Sequence, residues 1–407
     1  MFEKLLSSAT ALRRHQDAPL AAERERYLQH CSDTGATYWS MRIKCNELLW
    51  AARLLDGDAR NGLDMDGLEA LADRRVAFQN AGTTRRRFIN ITRPWLRFLG
   101  WWNEPAVPCK FQDKLDLYCL WMRDERGFTN STIVGWRCRV RDFLIWCDAG
   151  NRELQLLQPS DIDAYFIDDL AHPWGRRTVA TVAALLKNFL RFAASQSWCH
   201  SQLADAIRGP RIYAQGSLPY APDWRDVQKL LACTVFDAPQ DIRARAILML
   251  LSIYGMRATE VATLRLDQVD WQQHVIRIFR LKRRQPQVYP LLPSVAEALA
   301  RYIDIVRPST PYPEIFIGLH SPRRPLTRAA IYKIVSSKFL ELGIKVVHRG
   351  PHALRHACAT RLVADGLTLK EIGDHLGHRS TEATRTYAKV DFTALREVGD
   401  FDLGELL

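Results

Sequence analysis

Polar side chains near the C-terminal end of the chain have the types and the spacing needed to bind and attack a phosphate. They lie in residues 351–390, PHALRHACATRLVADGLTLKEIGDHLGHRSTEATRTYAKV. His352 and Arg355 are three residues apart, so they share one face of a predicted helix. His378 lies in the turn after the next predicted helix, and Tyr387 lies in the helix that follows this turn. Side chains at helix ends and turns can converge on one ligand, and these types suit a phosphate.

A further arginine occurs about a hundred residues earlier, in the segment YGMRATEVATL. Gly255 ends a very apolar predicted helix, Arg257 follows at once, and Glu260 comes three residues later. An arginine beside a buried helix end can reach inward as a bidentate phosphate ligand. Taken alone, however, the segment fits a surface arginine paired with Glu260 even better.

The segment between these two regions predicts a β-hairpin with a cationic turn. Residues 275–279 and 288–291 carry the β-branched or alternating pattern of strands. The cations of this hairpin are Arg277, Arg280, Lys282, Arg283 and Arg284. Because such a turn would repel itself unless it faced anions, the sequence favours DNA contact here over a solvated loop. A lysine on a loop tip can also donate a proton once neighbouring cations depress its pKa.

Together these features follow the order and spacing of a known protein family. They are G-x-R-x-x-E at Arg257, the hairpin lysine before Tyr289-Pro290-Leu291, H-x-L-R-H at Arg355, and LGH-x8-Y at Tyr387. In them the chain resembles the tyrosine recombinase (phage integrase) family over about residues 110–400. The resemblance implies a mainly α fold, in which a helical core-binding bundle joins an α-rich catalytic domain with a small antiparallel sheet.

The resemblance also implies a role for each residue of the set. Tyr387 would be the nucleophile and would form a 3′-phosphotyrosine, leaving a free 5′-hydroxyl. Arg257 and Arg355 would hold the non-bridging oxygens and stabilise the transition state. Glu260 would orient Arg257 or a histidine. Since the covalent link conserves the bond energy and arginines supply the positive charge, neither ATP nor a metal nor another cofactor is expected.

The histidines and the lysine would complete the set. His352 and His378 would hydrogen-bond the scissile phosphate, with His352 a candidate base for Tyr387. Lys282 would protonate the leaving 5′-oxygen. The turn LKRRQPQ lacks the family's usual glycines beside the lysine, so Arg283 or Arg284 could lie nearer the phosphate. The neighbouring His356 and His375 are interpreted as structural.

The elements that position these residues fall into predicted domains. An extra helical N-terminal domain is expected over 1–105, a helical core-binding DNA domain over 109–208, and a catalytic domain over 223–391. A Gly- and Pro-rich linker, 209–222, joins the last two. The tail, 392–407, either contacts a neighbouring subunit or folds back on its own domain.

The N-terminal region contains one basic segment, TTRRRFINITRPWLRFLGWW, in which arginines alternate with aromatic residues. Arg85, Arg86 and Arg87 open this segment. Two interpretations have equal weight. The arginines either contact a nucleic-acid backbone or form the solvated face of a helix over a core.

Charge and composition limit the class of partner. The formal net charge of +12 predicts a polyanionic partner, and the family resemblance implies that this partner is double-stranded DNA. With no long uncharged apolar run and no lipid-anchor motif, a membrane partner is not expected. The nine cysteines are scattered without a CxxC pair, which argues against a disulfide framework or zinc ribbon. The chain is therefore predicted to be cytoplasmic and nucleoid-associated, with no small-molecule substrate.

The sequence thus predicts a site-specific recombinase that cleaves and rejoins DNA. The helical bundle and the catalytic domain would together form a clamp on duplex DNA. Each subunit would bind one half-site. Strand exchange would then need a homotetramer or a hetero-oligomer. The long N-terminal region favours an integrase or transposase of a mobile element. Two alternatives are a type IB topoisomerase, which shares the chemistry but acts alone, and a DNA-binding regulator with a decayed site, against which the intact residue set argues.

Overall fold

The computed structural model describes residues 1–55, 60, 62–77, 82–104, 109–168, 174–212, 221–280, 285–378, 382–385 and 387. Contacts divide the chain into two compact units, Glu104–Gly216 and the combination of Met1–Asn103 with Ser217–Leu407. The chain is mainly helical with one small antiparallel sheet, which confirms the predicted fold class. The finer domain boundaries stay predictions, because the second of these units holds both the N-terminal region and the C-terminal region.

Helices fill the described part of the N-terminal region. They are α1 (Phe2–Leu5), α2 (Ala9–Gln16), α3 (Ala21–Asp33), α4 (Tyr38–Leu54), α5 (Met65–Ala77) and α6 (Gly82–Leu99). Thr37 caps α4 by accepting a hydrogen bond from the backbone N–H of Ser40. The apolar faces pack around the fully buried Phe88 and Trp95. After α3, the carbonyl of Thr34 accepts a bond from the backbone N–H of Arg323, so the helices contact the C-terminal part of their own unit.

The unit Glu104–Gly216 is a helical bundle, as its amphipathic pattern predicts. Its helices are α7 (Gln112–Asp124), α8 (Asn130–Ala149), α9 (Pro159–Ile167), α10 (Arg176–Ser195) and α11 (Leu203–Ala206). Aromatic rings form much of the core, and Tyr118 and Phe143 are fully buried there. The Tyr118 hydroxyl donates to Asn188 Oδ1 at 2.9 Å, which satisfies its one buried polar atom.

The C-terminal part of the other unit is built around one helix that is buried on almost every side. Its helices are α12 (Trp224–Ala232), α13 (Pro239–Ile253), α14 (Ala258–Ala262), α15 (Pro293–Arg301), α16 (Arg328–Glu341), α17 (Pro351–Ala364), α18 (Leu369–Leu376) and α19 (Glu382–Arg385). The buried helix is α13, whose run AILMLLSI is apolar all round and packs against α15, α16 and α17. This core anchors both ends of the predicted site, since α14 follows α13 directly and α17 lies against it.

The sheet has the strand order β1 (Val269–Asp270), β2 (Val275–Arg280) and β3 (Gln285–Pro290), with antiparallel neighbours. Side chains of β2 alternate, so Ile276 and Ile278 are buried and Arg277 is exposed. β3 begins three residues earlier than its β-branched pattern predicts. The extra residues include Pro286, which a strand tolerates at a sheet edge because it needs no partner for its nitrogen.

Candidate active site

The predicted site residues meet at the turn that follows α18. The side chain of Thr368 caps this helix by accepting a bond from the backbone N–H of Glu371, whose carboxylate accepts the Thr368 N–H in return. Gly377 ends the helix with a positive φ of 63°. A Cβ at this glycine would also lie 2.7 Å from Arg280 Nε, so both backbone and space require glycine. His378 follows directly.

Arg257 reaches this turn from the start of α14. Its Nη2 donates to the carbonyl of Gly377 at 3.1 Å, and its Nη1 donates to Glu260 Oε1 at 2.9 Å. The other carboxylate oxygen of Glu260 accepts the backbone N–H of Arg257 at 2.8 Å. The arginine side chain is 19% exposed. Arg257 is therefore paired with Glu260, as the simpler interpretation expects, but it points to the turn and not along the surface.

Arg355 reaches the same turn from α17 and is almost fully buried. Its Nη2 donates to the carbonyl of Leu376 at 2.7 Å, and its Nη1 donates to the carbonyl of Gly255. Burial lowers the pKa of Arg355 to about 10, and the charges of Arg257 and Arg280 act in the same direction. At neutral pH the guanidinium still carries its charge, in a place where it lacks water.

Arg280 is not on the surface, which corrects the expectation that it contacts DNA. Its side chain is only 1% exposed and donates from Nη1 to Glu260 Oε2. The same guanidinium donates from Nε to Gln287 Oε1 at 2.8 Å and from Nη2 to the hydroxyl of Tyr289 and the carbonyl of His375. A cation this far from water needs a carboxylate partner, and Glu260 supplies it. Glu260 thus joins Arg257 to Arg280.

The other hairpin cations have different positions. Arg277 is exposed and donates to Asp270 Oδ2 at 2.9 Å. An exposed ion pair of this kind exchanges readily with another anion. Lys282, Arg283 and Arg284 lie outside the described residues, so their roles stay predictions.

His378 and Tyr387 lie side by side next to the turn. Their rings are parallel within 7° with centroids 6.3 Å apart, and His378 Nδ1 is 2.7 Å from Thr384 Oγ1. Tyr387 is only 2% exposed. Burial raises the pKa of Tyr387 to about 12, although the charge of Arg355 acts in the opposite direction. The phenol is therefore neutral at rest.

The hydroxyl of Tyr387 contacts His356 and not the expected His352. His356 Nδ1 lies 2.7 Å from the Tyr387 hydroxyl oxygen. Burial lowers the pKa of His356 to about 4, so its ring is neutral and Nδ1 can accept the hydroxyl proton. His352 lies one helical turn earlier on α17, exposed, with its ring centroid 6.4 Å from that of His356.

Comparisons with known proteins match this architecture. Residues 224–394 match the phage integrase family. The chain is 32% identical over 71% of its length to "Putative integrase/recombinase y4rA" of Sinorhizobium fredii (strain NBRC 101917 / NGR234), of which 70% is covered. It is 28% identical to the tyrosine recombinase XerD of Listeria monocytogenes serotype 4b (strain F2365), over 67% of this chain and 93% of XerD.

The chain belongs to the phage integrase family and is a tyrosine recombinase. The crystal structure of XerH, a site-specific recombinase bound to its palindromic difH substrate, has the same fold, with a TM-score of 0.54 at 18% identity. That match covers 88% of this chain and 96% of XerH. The predicted family and enzyme class are therefore confirmed.

The N-terminal arginines of the recombinase are separate from this site. Arg85 is bonded to Asp73 Oδ1 at 2.6 Å and to Glu69 Oε2 at 2.9 Å, both on α5. Arg86 and Arg87 are exposed on α6. The segment thus combines the two interpretations, with Arg85 tied to the adjacent helix and the next two arginines facing solvent. DNA contact through any of them stays a prediction.

Residues that the sequence reasoning missed lie beneath the turn. Gln287 and Tyr289 of β3 both reach the carbonyl of His375. The ring of His375 itself packs edge-on against Tyr289, which fits its interpretation as structural. The position of His356, next to Arg355 and four residues after His352, was a signal for its role, whereas nothing in the sequence marks Gln287.

The described part of the recombinase contains no group of three or more His, Cys, Asp or Glu side chains that could hold a metal ion. None of the helices within the described ranges is long and apolar enough to cross a membrane.

Proposed function

We propose that the recombinase cleaves and rejoins double-stranded DNA at specific sites, with Tyr387 as the nucleophile. The observation that carries this proposal is the convergence of Arg257, Arg355, His378 and Tyr387 on the turn after α18. A tyrosine beside two inward-pointing guanidinium groups suits attack on a phosphodiester, because the guanidinium groups stabilise both the phenolate and the phosphorane.

In the proposed reaction the Tyr387 oxygen attacks phosphorus and the bond to the 5′-oxygen breaks. The products are a 3′-phosphotyrosine and a free 5′-hydroxyl, and the reverse attack by a 5′-hydroxyl rejoins the strand. Arg257 and Arg355 hold the non-bridging oxygens, Glu260 orients Arg257, and His378 donates a hydrogen bond to the phosphate. Lys282 gives its proton to the leaving 5′-oxygen. No energy-rich cofactor is needed, since one phosphodiester replaces another.

The phenol proton needs an acceptor, and two histidines compete for this role. His352 is the candidate from sequence reasoning. His356 is the one within hydrogen-bond distance of the hydroxyl, at 2.7 Å. We assign proton acceptance from Tyr387 to His356 and phosphate binding to the exposed His352.

We further propose that duplex DNA is held by the helical bundle together with the catalytic region, one half-site per subunit. Two half-sites on each of two duplexes then require a tetramer. The net charge of +12 supports a polyanionic partner. From this activity we infer that the protein acts in the cytoplasm, at the nucleoid. The relative named as an integrase/recombinase supports the role of an integrase. The N-terminal region, which is longer than the family's minimum, favours a mobile element.

The test is covalent trapping on nicked duplexes in which the central sequence is randomised. Cleavage beside a nick releases a short strand whose 5′-hydroxyl diffuses away, so the adduct accumulates. Wild-type protein should yield a denaturant-resistant adduct, and sequencing the attached DNA gives the target. Tyr387→Phe should yield none, whereas Tyr312→Phe, at a partly exposed tyrosine, should yield as much as wild type.

The outcomes separate the candidate functions. Crossover products from DNA with two recovered sites would support recombination, whereas relaxation of supercoils without crossovers would support a topoisomerase. Specific DNA binding without any adduct would support the regulator with a decayed site. An adduct of Tyr387→Phe equal to that of wild type would refute the assignment of the nucleophile.

A further inference from the structure

The carbonyl groups of residues 374–377, at the C-terminal end of α18, accept hydrogen bonds from side chains outside the helix, whereas that of Gly373 accepts the backbone N–H of His378. The final turn of a helix leaves its carbonyls without intrahelical partners. Here the carbonyl of Gly377 accepts from Arg257, that of Leu376 from Arg355, and those of Asp374 and His375 from Gln287 Nε2 at 2.8 and 3.1 Å. Two of these donors are the proposed phosphate ligands. The third, Gln287, has no role in the mechanism above.

The chemistry of its neighbours dictates the orientation of the Gln287 amide. On one side lies Arg280 Nε, which can only donate, at 2.8 Å from Gln287 Oε1. On the other side lie two backbone carbonyls, which can only accept. An amide flipped by 180° would oppose donor to donor and acceptor to acceptor. Glutamine is the natural side chain of this length that satisfies both sides without adding charge.

Arg280 makes this amide rigid. Its guanidinium is buried against Glu260 and Tyr289, both of them buried as well. Glu260 in turn bonds Arg257 through its other oxygen. Two sets of hydrogen bonds therefore connect Gln287 to Arg257. One runs through the α18 turn, and the other runs through Arg280 and Glu260.

We propose that Gln287 is a positioning residue, which ties β3 to the end of α18 and so holds the turn that orients Arg257 and Arg355. The inference rests on the proposed function of those two arginines. When Gln287 is replaced, Tyr289 and Arg280 still bond the carbonyl of His375, but that of Asp374 loses its side-chain donor, so the turn and the two guanidinium groups can shift. A displacement of about 1 Å can lower a rate by about a hundredfold even when binding persists.

The primary test is Gln287→Met, which keeps the length of the side chain but removes both its donor and its acceptor. With full-length protein and the recovered nicked duplex at saturation, the cleavage rate should fall by about tenfold to a hundredfold. DNA affinity should fall much less than the rate, because Arg257 and Arg355 contribute more to stabilising the transition state than to binding DNA. The matched control is Gln268→Met, which removes a glutamine whose Oε1 accepts the backbone N–H of Arg265 at 2.9 Å; its rate should not change.

A second variant separates the two halves of the tie. Gln287→Glu keeps, and strengthens, the acceptor for Arg280 but sets a carboxylate against two carbonyls. It should therefore cleave as slowly as Gln287→Met or more slowly. Wild-type rates in the Glu variant would mean that only the contact with Arg280 matters, which would overturn the tie to α18.

A modified substrate distinguishes action through the arginines from action through the hairpin lysine. A 5′-bridging phosphorothiolate has a sulfur leaving group that needs no protonation. If Gln287 acts through Arg257 and Arg355, the Met variant should remain slow relative to wild type on this substrate. Full recovery of its rate would place the defect at Lys282 and refute the inference.

These outcomes are distinct from a failure of the proposed function. If wild-type protein forms no adduct, the recombinase mechanism itself fails. If wild type forms the adduct and Gln287→Met matches it in rate, only the positioning role fails. Thermal unfolding checks that each variant is folded. The inference is supported if Gln287→Met has the melting temperature of wild type but cleaves the recovered DNA more slowly.

Discussion

Glu260 is the carboxylate on which the charge balance of the candidate site depends. It is 3% exposed and lies between two guanidinium groups, those of Arg257 and Arg280. Replacing it by glutamine keeps the shape but removes the charge. The Oε1 atom of the new amide can accept a hydrogen bond from one arginine, whereas its NH2 group must face the other arginine, which is also a donor. The substitution thus leaves a fully buried cation, Arg280, with no anion.

The magnitude follows from that burial. Removing one partner of a buried ion pair costs about 3–5 kcal/mol, because the remaining charge stays desolvated. For a unit of about 290 residues, with an unfolding entropy of about 2.1 cal/mol/K per residue, the same loss lowers the melting temperature by roughly 5–8 °C. The control is Glu341→Gln, whose carboxylate is 55% exposed and pairs with Lys338. A pair with an exposed partner contributes about 1 kcal/mol or less.

A double variant separates the contribution of Glu260 to the stability of the fold from its role in cleavage. In Glu260→Gln with Arg280→Met, the buried cation is gone together with its partner, and much of the stability should return. Cleavage should not return, because Arg257 still lacks the carboxylate that orients it. Denaturant unfolding and trapping on the recovered duplex measure the two quantities. If Glu260→Gln unfolds like the Glu341 control, Glu260 does not neutralise these arginines and the reasoning is wrong.

Further predictions concern the groups around the phosphate. Arg257→Ala and Arg355→Ala should each slow cleavage by about a hundredfold or more with a much smaller loss of DNA affinity, and equal losses would make them ordinary DNA contacts. Lys282→Ala should slow cleavage of a phosphodiester but not of a bridging phosphorothiolate; a defect on both would remove it as the acid. His356→Phe should slow cleavage more than His352→Phe and shift its rate profile to higher pH, and the reverse order would return proton acceptance to His352. Acid should destabilise the fold, since the pKa of His356 falls from 6.5 to about 4 on burial. The neutral His356 ring contributes to the free energy of unfolding above pH 6.5, and this contribution is lost as the pH falls through 4. In His356→Phe the free energy of unfolding should therefore depend less on pH in this range.

Local signals were sufficient to predict the elements that hold the site. Thr368 with Glu371 is a capping pair that can be read directly from their spacing, and Gly377 marks the end of the same helix. The order of the arginines, histidines and tyrosine identified the family without any structure. These features are predictable because each depends on residues a few positions apart or on a pattern along the chain.

Arg280 shows that two patterns in the sequence of the hairpin predict different positions for one side chain. Charge density suggested that all the hairpin cations face DNA. The alternation of β2 indicates otherwise, because Arg280 follows Ile276 and Ile278 at intervals of two and so shares their buried face. Arg277, on the opposite face, is exposed as expected. In a strand, periodicity decides the direction of a side chain more reliably than the number of charges nearby.

Other contacts could not have been foreseen from local patterns. The hydrogen bond between Tyr387 and His356 joins residues 31 positions apart, and those from Gln287 to α18 span 87 and 88 positions. Each depends on how α17, α18 and β3 pack, which in turn depends on the apolar core around α13. Sequence types restrict which groups can pair, but only tertiary packing selects which of several histidines or amides does so.

The resting site carries more positive charge than its own groups neutralise. Among the described residues, the guanidinium groups of Arg257, Arg280 and Arg355 lie around the carboxylate of Glu260, so three positive charges face one negative charge. The carbonyls at the end of α18 offset part of this excess, because they form the negative end of the helix dipole. The remainder is visible in the lowered pKa of Arg355, to which the two neighbouring arginines contribute after burial. The negative charge of an entering phosphate would stabilise the charged form of each of these arginines. In the proposed mechanism, the same excess that the fold tolerates at rest contributes to the affinity for a phosphodiester, and it lies where the Tyr387 phenolate would form.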